Sequence, residues 1–178
     1  ILLLSSIMVF SSCDKDDDKT YANVLVTHAS PDAPGVDLLI DNVKQNSAAL
    51  TYPNNTGYLD VESGTRNIKV NVAGTATTVI NADLTLTKDA NYSIFAIDSV
   101  SDISAVVFTD DLSTPASGKA HVRFIHLSPD APAVDVFARN VAQLIDSITY
   151  TELNGYINVP AADYLLDITP SGGTPIIA

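Results

Sequence analysis

The residues able to do chemistry are few, and most of them come in pairs. His28 stands ahead of Ser30, Pro31, Asp32, Pro34 and Asp37, and the same types recur at His126, Ser128, Pro129, Asp130, Pro132 and Asp135. An imidazole close to two carboxylates supplies the ligands of many metal sites and both halves of an acid–base dyad. The competing reading is structural: a buried imidazole locks a turn through hydrogen bonds. It is the stronger of the two, because a reactive site rarely has to be kept in both halves of a duplication. His121 and His126, five apart in one strand, face opposite sides and cannot chelate together. No Gly-x-Ser-x-Gly elbow, Gly-rich phosphate loop or His-Glu-x-x-His helix is present. The expectation is a protein that is not an enzyme and needs no cofactor and no metal, with a hydrolase or metal enzyme using His28 and Asp37 ranked last.

Tyr58 and Tyr156 are the better candidates for ligand contact. Leu59 and Val61, like Ile157 and Val159, take the inward face of their strands and leave each tyrosine outward beside Asp60 or Asn158. Outward aromatic rings on a sheet can stack on sugars, or they can cover a neighbouring strand. The chain has no Trp, which weakens the sugar reading.

These side chains need a scaffold, and the dominant period is two. Ile68, Val70 and Val72 alternate with Lys69 and Asn71, and Ile80, Ala82, Leu84 and Leu86 alternate with Asn81, Asp83 and Thr85. With 24–28, 36–41, 57–61, 92–97 and 104–109 this predicts about seven short strands separated by Pro, Gly, Asn and Asp. Of 21 acidic residues 19 are Asp, which suits turns rather than helices. Only Asn42–Leu50 could hide a helix. The expected fold is all-β: tandem immunoglobulin-like antiparallel β-sandwiches.

Tandem, because Val24–Val70 aligns with Val122–Ile168 at an offset of 98 without a gap, with 17 of 47 positions identical. The predicted boundaries are 23–112 for the first repeat, 113–119 for a linker and 120–178 for the second repeat. Counterparts of 81–112 are missing from the second, so it reads as incomplete, with open apolar edges. The motif His-x-Ser-Pro-Asp-Ala-Pro-x-Val-Asp in both copies resembles the signature of the family called domain of unknown function 4397. That resemblance implies an exported, often repeated β-domain and no established activity. Physically, Pro31 and Pro34 fix φ and remove two donors, and they push Ser30 and Ala33 towards extended conformations, so the chain crosses between sheets there. Pro34 has no amide, so Gly35 is the nearest donor for an Asp32 turn.

The N-terminus reads as an address. Residues 1–12 hold an uncharged apolar run too short to span a bilayer, a secretory signal. Phe10-Ser11-Ser12-Cys13 resembles a bacterial lipobox, which implies lipidation of Cys13, the sole cysteine. Residues 13–22 then form an acidic tether. The Asp-Lys-Asp-Asp-Asp-Lys run resembles an export tag for the outer face of the outer membrane, while Asp14 directly after Cys13 also resembles a retention signal, which leaves a periplasm-facing alternative. The net charge of −12 excludes nucleic acid as a partner. The functional expectation is a non-enzymatic cell-surface lipoprotein with a structural or adhesive role, held to the membrane by lipid and meeting a surface protein or a glycan. The alternative is a glycan-binding accessory protein for polysaccharide capture.

Overall fold

The computed structural model describes residues 19–173. The signal segment, Cys13 and most of the tether lie outside the described residues. Everything regular within them is strand, so the all-β expectation holds.

The first unit has eight strands: β1 Tyr21–His28, β2 Val36–Ile40, β3 Val43–Lys44, β4 Asn55–Glu62, β5 Gly64–Val72, β6 Thr78–Leu86, β7 Asn91–Ile97 and β8 Ser104–Asp110. They form two four-stranded sheets, ordered β4-β1-β7-β8 and β3-β2-β5-β6. Strand alternation does what the period of two requires. Ala22, Val24, Val26 and His28 of β1 face inward and meet Leu38, Ile40, Ile68 and Val70 of the other sheet in one core. Each such Val, Leu or Ile contributes about 1.5–3 kcal/mol when fully buried.

The sheets are not wholly antiparallel. β1 and β7 run parallel from Asn23 opposite Asn91 to His28 opposite Ala96, which corrects the antiparallel expectation. Their positions in the chain are 68 apart, so the long crossover through the second sheet removes any need for a hairpin between them. No helix occupies Asn42–Leu50 either. β3 covers two of its residues, and Asn46 serves as a substitute strand partner: its Oδ1 accepts from the Leu38 amide at 2.8 Å and its Nδ2 donates to the Val36 carbonyl at 3.0 Å.

Five further strands follow among the described residues: β9 Lys119–Val122, β10 Val134–Ala138, β11 Ala142–Ile148, β12 Ile157–Pro160 and β13 Leu166–Pro170. They pair as β11-β10-β13 and β12-β9, all antiparallel, and a small core of Val136, Ile145 and Ile148 lies on β10 and β11 with Phe124 packed against it. At the offset of 98, β9, β10, β12 and β13 fall where β1, β2, β4 and β5 stand in the first unit. Cover differs between the copies: Val70 is 4% exposed beneath its neighbours, and its counterpart Ile168 is 67% exposed.

Candidate functional site

The repeated motif sits where β1 ends and the chain crosses to β2. Alternation puts His28 on the inner face, and it is fully buried. Its Nε2–H donates to the Pro34 carbonyl at 3.0 Å, six residues on. A carbonyl oxygen carries no proton, so the hydrogen must be on the ring nitrogen. His126 repeats the bond to the Pro132 carbonyl at 3.1 Å, and there the Ser128 amide approaches Nδ1 at 3.4 Å, as the same tautomer requires. The sequence reading set the histidines near the motif aspartates. The structure gives each ring a backbone carbonyl instead of a carboxylate, because the Pro-x-x-Pro turn folds its own last carbonyl back over the strand end.

The aspartates hold other backbone. Asp37 accepts from the Gly74 amide at 3.0 Å, and Lys44 Nζ lies 2.8 Å from its other oxygen. Lys44 first, and the Gly74 amide next, hold its carboxyl below the usual carboxylate range. Asp135 does the same with Gly172 at 2.9 Å, and uses the Ser147 amide at 2.8 Å where Asp37 has Lys44. Gly74 and Gly172 have φ of 71° and 77°, a left-handed conformation that suits glycine and aims each amide at its carboxylate. Asp32 takes the Ser30 hydroxyl at 3.4 Å and the Val100 amide at 3.0 Å, not the Gly35 amide; Asp130 takes Ser128 Oγ at 2.9 Å. Among the described residues no group of three or more His, Cys, Asp or Glu could hold a metal ion.

Tyr58 and Tyr156 flank the junction between the units, each with its partner inside its own unit: Tyr58 is 41% exposed and bonds Asp110, and Tyr156 packs against Arg123. Tyr58 donates to Asp110 at 2.6 Å, and burial of its hydroxyl with that carboxylate beside it pushes its pKa up to about 12. Ser93 also donates to Asp110 at 2.6 Å, and Arg123 forms an ion pair with it. The Arg123 guanidinium lies 4.9 Å from the centre of the Tyr156 ring. Asp110 is thus a buried carboxylate with three donors from both units. A second contact lies further along the same β7–β8 hairpin, where Tyr150 donates to Asp98, and burial and that carboxylate raise its pKa to about 12.

Sequence reasoning did not single out Asp110, Ser93 or Arg123. One signal was available: Arg123 occupies the position of Leu25 in the first copy, a charge where the repeat has an apolar residue.

Beside the Tyr150–Asp98 contact, at the end of β1 away from Asp110, the units form an open cleft of about 560 Å³. Both motif copies line it, with Pro31 and Asp32 from the first and Pro129 and Asp130 from the second, joined by Tyr52 and Asp98. No curated protein matches the chain. A family model described as domain of unknown function (DUF4397) matches residues 22–137, a stretch that contains the first unit from the second residue of β1 onward, both motif copies and every residue lining the cleft. The chain belongs to that family.

Proposed function

We propose that the protein is a non-enzymatic, lipid-anchored module of the bacterial cell surface, built of tandem immunoglobulin-like β-sandwiches and serving a structural or adhesive role. One observation carries the reading: the histidine and the second aspartate of the motif bond to the backbone of their own unit in both copies. His28 and His126 close the crossing turn, and Asp37 and Asp135 hold the glycine amides. A side chain already bonded in this way in two places supports a scaffold rather than a reaction. The anchor is Cys13, after an apolar segment and before an acidic tether. The outer leaflet of the outer membrane is the proposed address.

The test uses cells that make the wild-type protein, Cys13→Ala or none. Wild type is expected in the membrane fraction, with lipid on Cys13 by mass spectrometry, and accessible to protease added to intact cells. Loss of the protein or of Cys13 is expected to weaken attachment or envelope integrity. An unmodified Cys13, or a catalytic turnover lost in a His28→Ala variant of unchanged stability, would replace this reading.

A further inference from the structure

We propose that the cleft between the two units is a carbohydrate site that takes an uncharged pyranose ring. This goes beyond a structural or adhesive role and does not depend on the lipid anchor. Its size, about 560 Å³, falls within the range of small-ligand sites. Its walls combine two chemistries. Tyr52 is 50% exposed and, with Pro31 and Pro129, offers apolar faces to the C–H face of a sugar. Asp32, Asp98 and Asp130 offer acceptors to its hydroxyls.

The carboxylates are fixed before any ligand arrives. Asp32 is tied to the Val100 amide, Asp98 to the Tyr150 and Ser104 hydroxyls, and Asp130 to the Ser128 hydroxyl. A carboxylate oxygen accepts more than one hydrogen bond, so each keeps capacity for a sugar hydroxyl. Such preorganisation lowers the cost of ordering on binding. Three observations select the ligand class. No basic side chain lines the cleft, so an anionic sugar meets only like charge. No trio of these carboxylates could hold a metal ion, so they suit hydroxyls spaced around a ring rather than one cation. Finally, Tyr150 is docked on Asp98, whereas its counterpart Tyr52 leaves its ring half exposed at the cleft.

The site also gives the duplication a purpose at this place. Pro31 and Asp32 match Pro129 and Asp130 at the offset of 98, and one cleft needs both pairs.

The experiment is calorimetric titration of the purified chain with cellotriose, mannotriose and chitotriose, with trigalacturonate as the anionic probe and trilysine as the cationic one. At least one neutral trisaccharide is expected to bind saturably, with Kd of about 1 mM or tighter. Tyr52→Ala and Asp130→Asn are each expected to weaken it about tenfold or more. Tyr52→Phe keeps it, and Tyr21→Ala, at the other end of β1, leaves it unchanged. Using two cleft variants keeps the test decisive if one of them unfolds. Silence from all three neutral sugars at about 10 mM overturns the proposal, as does binding indifferent to both cleft variants, or a preference for trilysine or trigalacturonate. Any of these failures leaves the scaffold reading intact, because that reading is tested on cells and by stability.

Discussion

His28 and His126 make the same bond in two differently covered units, a ring N–H to the second proline carbonyl of the motif. Replacing His28 by Ala leaves that carbonyl unpaired in the interior and opens a void beside Val26. Urea unfolding is expected to report a loss of about 1–3 kcal/mol. Asp37 answers a different probe. Its folded-state pKa lies below the ordinary value, chiefly because of Lys44. Its contribution is therefore complete above about pH 4 and fades as pH falls through the folded value. The urea midpoint of wild type is expected to drop between pH 7 and pH 3, and Asp37→Asn to show a smaller drop. Equal drops would mean that Asp37 is no part of the acid response.

The β7–β8 hairpin is the element on which the second unit rests, through Ser93, Asp98, Thr109 and Asp110. Arg123→Leu, the residue found in the first copy, leaves Asp110 buried with only the Ser93 and Tyr58 hydroxyls. The expected cost is about 3 kcal/mol, seen as faster amide exchange in 104–110 together with 119–126. Exchange confined to the second unit would place the junction elsewhere. Most of these elements were legible in the sequence, since a half-buried strand writes its period of two directly, as Val24, Val26 and His28 do. Their partners were not. Nothing in Asn91–Ile97 says that it lies parallel to β1 rather than in a hairpin, because pairing across 68 positions is decided by what else fills the sheet. The histidine bond was hidden for a related reason: its acceptor is a backbone carbonyl, which every residue type carries. Asp110 looked like one more turn aspartate, and only its three donors distinguish it.

At the scale of the molecule, one hydroxyl that must stay protonated joins the two units, Tyr150 on Asp98, while the Tyr58 hydroxyl stays within the first unit on the Asp110 that Arg123 reaches from the second. Tyr58 and Tyr150 both have their pKa raised to about 12 from the usual 10.0, so their contribution is complete below pH 10 and lost as pH rises towards 12. Solution scattering is expected to show the units separating over that window while each sheet persists by circular dichroism; Tyr150→Phe should already be loosened at pH 7. A wild-type radius of gyration constant up to pH 12 would remove the Tyr150 phenol from the joint.

The direction of β1 gives the molecule a pole. Its eight residues rise about 25 Å from Tyr21 to His28, where the crossing turn begins. Asn91 and Asp110 sit beside the entry end, and the turn bearing Asp98 sits with the motif at the other. The cleft thus lies at the end of β1 away from Lys19. If the proposed Cys13 anchor holds the chain from that side, a molecule arriving from the medium would meet the cleft mouth before the entry end of β1.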